Sequence, residues 1–151
     1  MKPITVSALL AALALTCVPA HALVRGTTDS GRSFVSGGIG SDEVATINAE
    51  RGRYGMAILT AATGTGAYLS DVHIRITDEH AAPVLETQMD GPWLLVDLPP
   101  GRYTIEAGLD GQVKKTTLSL GAGGHQQATF YFDTHDEVER ANPEPAAPAG
   151  H

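Results

Sequence analysis

Between Asp71 and Thr77 the chain reads DVHIRIT, with Val72, Ile74 and Ile76 apolar and His73 and Arg75 polar between them. A period of two puts the apolar set on the buried face of a β-strand and the polar set outside. The same grammar runs from Arg53 onward. RYGMAILTA carries Tyr54, Met56 and Ile58 on one face and is broken by TGTG at 63–66. DEHAAP reads as a turn, VLETQM resumes the sheet, and WLLVDL follows. RYTIEAGL places Tyr103, Ile105, Ala107 and Leu109 on one side and Arg102, Thr104 and Glu106 on the other. QVKKTTLSL comes after the LDGQ turn, and QATFYF after GAGGH. These are seven short strands at turn spacings of about ten residues, the rhythm of an all-β sandwich.

The punctuation between strands is chemically explicit. Pro99 and Pro100 have no amide hydrogen to donate, so they end the strand before them. Gly101 supplies freedom to reverse the chain, and Asp110-Gly111 is a hairpin signal because glycine accepts the positive φ of primed turns. Trp93, at the head of its strand, is expected to pack under the Pro99-Pro100 corner.

Ahead of the sandwich, residues 23–40 are rich in Gly, Ser and Thr without sustained periodicity and read as an extended, partly mobile arm, with Phe34 and Val35 docking on the body. SDEVATINAERG then predicts one short helix: Ser41 caps, Asp42 and Glu43 place acid on the first turn, and Gly52 terminates. Val44, Ile47 and Arg51 share a face. Residues 23–52 are thus an arm plus helix, and 53–132 the sandwich. Residues 133–151 turn acidic and then Pro/Ala-rich, a composition that cannot offset its ordering entropy and is expected to be disordered.

Residues 1–22 begin with Lys2, run apolar from Ile4 to Val18, break at Pro19 and end in Ala20-His21-Ala22. This is the pattern of a secretory signal cleaved after Ala22, too short for a comfortable membrane span. Cys17, the sole cysteine, offers a lipid anchor as the alternative, but Leu15-Thr16 suits lipoprotein processing poorly, since threonine is bulkier than the residue expected there. A mature chain starting at Leu23 has no cysteine, so it holds together without disulfides and has neither thiol catalysis nor Cys-ligated metal. Formal charge is −7, and loss of Lys2 makes the mature chain one unit more negative. An acidic chain with scattered basic residues argues against nucleic acid and anionic lipid as partners. No later segment approaches a membrane span, so the expected location is periplasmic or secreted.

LPPGRYTIEAGLDGQ resembles the Leu-Pro-Pro-Gly-x-Tyr signature of carboxypeptidase regulatory-like domains, and residues 66–101 are similar to the rest of that module: strand, turn, interrupted strand, Pro-Gly corner. The resemblance implies a seven-stranded transthyretin-like (prealbumin-like) β-sandwich over 53–132. With the SGGIG arm and helix, residues 34–132 look like small exported proteobacterial proteins of this class. In regulatory-domain relatives the module is non-catalytic, and modules of this kind are appended to many unrelated functions. Transthyretin-like folds also include a purine-pathway hydrolase whose pattern ends in Tyr-Arg-Gly-Ser. Here the last strand gives TFYFDTHD, so that likeness fails where the chemistry would sit.

Several residues could still carry chemistry. Asp133, His135, Asp136 and Glu137 are suitable metal ligands in type, against which stands the ordinary reading of a solvated acidic tail. His73 lies on an outward strand face, His80 in a turn and His125 in a Gly-rich connection, none with a partner evident from spacing. No serine sits in a Gly-x-Ser-x-Gly elbow. SGGIGSDE has glycines before a helix, as phosphate loops do, but lacks the lysine and carries acids that repel an anion, so it reads as a flexible hinge. Trp93 beside Tyr54 or Tyr68 on an exposed concave face would make a glycan platform. Open sheet edges invite a partner strand, and Lys114-Lys115 would blunt one of them. The expectation is a non-catalytic, cofactor-free and metal-free envelope module that binds a protein or glycan. The rival is a His/carboxylate metal-binding or hydrolytic protein.

Overall fold

The alternation at Val72, Ile74 and Ile76 sets the inner face of one sheet, and those three side chains are fully buried. The computed structural model describes residues 23–134. The expected signal segment with Cys17 lies outside them, as do His135, Asp136 and Glu137. The described chain is mostly β, with nine strands in two sheets and one short helix. The strands are β1 (Val24–Thr27), β2 (Ser33–Gly37), β3 (Met56–Ala62), β4 (His73–Thr77), β5 (Pro83–Gln88), β6 (Trp93–Val96), β7 (Gly101–Leu109), β8 (Gln112–Leu120) and β9 (Gln126–Phe132). The helix α1 (Ser41–Glu50) runs into a 3₁₀ turn at Arg51–Arg53.

One sheet has the order β1-β2-β6-β3-β9, the other β5-β4-β7-β8. Neighbours are antiparallel except β3 and β9, which run parallel from Met56↔Gln126 to Ala62↔Phe132. The sheets close on a shared apolar layer. Met56, Ile58, Leu94, Val96, Phe130 and Phe132 come from the five-stranded sheet, and Val72, Ile74, Ile76, Leu85, Tyr103 and Ile105 from the four-stranded one.

Two sequence expectations are corrected here. The segment read as an arm supplies two strands, β1 and β2, which join the seven lying within 53–132. Trp93 does not pack under the Pro99-Pro100 corner. All four residues of β6 are buried, because its run of apolar side chains fills both faces. Leu94 and Val96 enter the inter-sheet layer. Trp93 and Leu95 point the other way, into a second cluster with Val35, Ala57 and Ile47 of α1. The helix therefore roofs the outer face of the five-stranded sheet.

The corner itself is built by hydrogen bonding. Leu98 is buried, and the Tyr103 hydroxyl donates to the Pro99 carbonyl at 2.7 Å. Burial pushes the phenol's pKa up, so it stays a neutral donor. The Leu-Pro-Pro-Gly-x-Tyr stretch is a tie between the start of β7 and the loop before it. Asp110 and Gly111, with φ of 48° and 79°, form the expected left-handed pair joining β7 to β8.

Replacing Tyr103→Phe should lower unfolding free energy by about 0.5–1.5 kcal/mol, since a part-buried hydrogen bond to the Pro99 carbonyl is lost. Tyr131→Phe, on an exposed ring, should change it by less than about 0.5 kcal/mol. Denaturant unfolding of the two variants checks the pair of values.

Candidate functional site

α1 begins directly after β2, and the Gly-rich joint between them is packed rather than a flexible hinge. Gly37 and Gly38 are buried. At Gly38, φ is +98°, and a Cβ there would come 2.7 Å from Trp93 Cδ1. The helix N-cap is Gly40, without a side-chain cap, and Ser41 is the first helical residue. The first turn instead reaches back to the loop that precedes it. Glu43 Oε2 accepts from the backbone N–H of Gly38 at 2.9 Å and of Ile39 at 3.0 Å. The amides of the loop just ahead of the helix are thus held by a carboxylate of its own first turn. Glu43 is only 8% exposed, and its Oε1 has no hydrogen-bond partner.

The other end of α1 is tied to β1. The Arg25 guanidinium donates to both oxygens of Glu50, at 3.0 and 2.8 Å. This fork holds the Glu50 carboxyl below its ordinary pKa and raises that of Arg25. It also places a cation beside a carboxylate that the helix C-terminus alone would disfavour.

Beyond Glu50 the chain forms one wall of a cleft of about 270 Å³, lined by Arg51, Gly52, Tyr54, Ala57, His125, Gln126 and Gln127. Its two walls, 50 residues or more apart in sequence, meet because β3 and β9 pair in parallel from their first residues. The Gln126 amide donates to the Gly55 carbonyl at 2.9 Å, closing the floor. His125 Nδ1 lies 2.8 Å from the Tyr54 carbonyl, which can only accept, so Nδ1 carries the proton. In the neutral ring Nε2 is then the acceptor. Arg51 forms no ion pair among the described residues. The cleft therefore offers a guanidinium, an imidazole, two carboxamides and the half-buried ring of Tyr54.

The residues named for glycan contact separate. Trp93, 6% exposed beneath α1, is no exposed platform. Tyr54 packs against the cluster holding Trp93 and lines the cleft. Tyr68 is exposed between β3 and β4, bridged to Ala61. The histidines also stand apart. His73 faces Glu86 at 3.2 Å, His80 faces Glu79 at 3.5 Å, and His125 is in the cleft. Among the described residues no three or more His, Cys, Asp or Glu side chains are grouped to hold a metal. No helix among them is long and apolar enough to cross a membrane. Gln126, Gln127 and Arg51 were not singled out from sequence. Only the 3₁₀ turn and the parallel pairing bring them to Tyr54.

Comparison with protein-family models and with curated proteins finds no match for this chain.

Two measurements follow from this geometry. The ¹⁵N spectrum of neutral His125 should show the Nδ1–H tautomer, against the Nε2–H form usual for free imidazole. Glu50→Gln should cost about 0.5 kcal/mol at neutral pH. Because Glu50's folded pKa is depressed, that gap is full above the unfolded value of about 4.3. It is lost as pH falls through the lower folded value, as unfolding measured across acid pH should record.

Proposed function

We propose that this chain is an exported, non-catalytic binding module of the cell envelope, periplasmic or secreted after cleavage following Ala22, with a transthyretin-like sandwich of the carboxypeptidase regulatory-like kind. Its partner is a protein held at the cleft of Arg51, Tyr54, His125 and Gln127. The observation that carries this is an unpaired guanidinium at the rim of a cleft beside an aromatic ring and two carboxamides. An exposed charge, a ring with a polar tip and adaptable amide groups are the side chains that recognition surfaces use for orientation and anchoring. A carboxylate-bearing segment complements Arg51 best.

The edges of the four-stranded sheet favour the cleft over strand addition there as the mode of recognition. β5 opens on Pro83 and is out of register with β4 between Ile76 and Thr77, two devices that discourage pairing. On β8, Lys114 sits opposite buried Ala107, an inward-side charge at an edge, while Lys115 pairs with Glu106 at 3.2 Å.

A photo-crosslinking side chain at position 127, in cells exporting the full chain, should trap one defined partner, while one at exposed position 68 should not. Against that purified partner, Arg51→Glu should weaken binding tenfold or more, equivalent to about 1.4 kcal/mol, with the unfolding midpoint unchanged. Equal adducts at both positions, or none at 127, would sink the proposal. So would turnover of any substrate abolished by His125→Ala. Loss of the adduct to added oligosaccharide would replace the protein partner by a glycan.

A further inference from the structure

We propose that the α-ammonium group created at Leu23 by cleavage after Ala22 is the missing partner of Glu43, so that maturation completes a buried ion pair and locks the first strand onto the helix. The inference rests on the reading of residues 1–22 as a removed signal.

Glu43 poses the problem. Its carboxylate is buried at the start of α1, with Oε2 bonded to two backbone amides and Oε1 bonded to nothing. An unpaired buried carboxylate oxygen is costly unless a cation or donor reaches it. No lysine or arginine does so among the described residues, whose ion pairs lie elsewhere.

Leu23 and the Glu43 carboxylate lie on the same side of Gly37. A Cβ placed on Gly37 would lie 2.9 Å from Glu43 Oε2 and 3.5 Å from the Cα of Leu23, so carboxylate and Leu23 backbone flank the same point. The Leu23 side chain packs against the cluster of Val35, Ile47, Ala57, Trp93 and Leu95, under the helix. Val24 then pairs with Ser36, fixing the direction in which the chain leaves. In a precursor the nitrogen of Leu23 is a neutral amide. After cleavage after Ala22 the same nitrogen is an ammonium with three donors. Processing thus changes the charge at one atom of a residue that flanks Gly37 together with the Glu43 carboxylate. A consequence suits export: the uncleaved chain lacks the last tie of β1 and is the looser form.

The test compares three proteins: the chain starting at Leu23 with a free amine, the same chain Nα-acetylated by semisynthesis, and the chain with one extra glycine ahead of Leu23. The free-amine form should melt about 4 °C or more above the other two. In the Glu43→Gln background the three midpoints should converge. Should Glu43→Gln not fold, amide exchange at Gly38 and Ile39 in the native sequence decides: acetylation should speed it at least tenfold. Equal midpoints and equal exchange for free and acetylated forms would overturn the ion pair. Terminal sequencing of the exported protein is read separately. A first residue other than Leu23 would overturn the signal cleavage on which the maturation role stands, whatever the melting result.

Discussion

A sheet whose central strand is apolar on both faces must be covered twice, and the rest of this molecule is arranged around that requirement. Trp93 and Leu95 face one way and Leu94 and Val96 the other. Each such side chain left in water would forfeit about 1.5–3 kcal/mol. The four-stranded sheet supplies one cover. The other can come only from α1, the single helix among the described residues, and it must lie close. Close approach explains Gly38, where any side chain would run into Trp93. Glu43, reaching back from the first turn to the Gly38 and Ile39 amides, holds the loop in that close approach.

That requirement also separates what sequence reveals from what it hides. Strands with one covered face announce themselves by alternation, as at Val72, Ile74 and Ile76 or at Tyr103, Ile105 and Ala107. Turns announce themselves by backbone chemistry, as at Asp110-Gly111. The continuous run from Trp93 to Val96 carried a further signal, that a second layer must exist, and Ile47 on the predicted helix was its natural source. β1 gave none. Val24-Arg25-Gly26-Thr27 has no apolar period, and it is a strand because β2 offers an edge to pair with and Glu50 offers Arg25 a fork. Tertiary context decides such segments.

The cleft was legible only in part, for a related reason. Tyr54 could be picked out as an aromatic near a boundary. Its neighbours His125, Gln126 and Gln127 reach it through parallel pairing of β3 with the last strand, a long-range connection that no local pattern encodes. Glu43 was read only as a first-turn acid that would repel an anion, and glutamate is a residue type seldom found buried. Two glycines five and six residues before it were the available hint, because they leave backbone amides bare enough for a carboxylate to reach.

Helix, first strand and cleft are therefore one mechanical unit. α1 is held at its start by Glu43 on the Gly38 and Ile39 amides and at its end by Glu50 on Arg25. Arg51, the next residue, is already a wall of the cleft, and the Tyr54 phenol, on the same wall, also neighbours the Arg25 guanidinium. If β1 left its place, Glu50 would lose its fork and Tyr54 a charged neighbour. The wall carrying Arg51 and Tyr54 would then keep only its backbone-carbonyl ties to His125 and Gln126. The Arg25–Glu50 fork thus joins the order of the first strand to one wall of the cleft, which is why neither can be understood as an appendage to a finished sandwich.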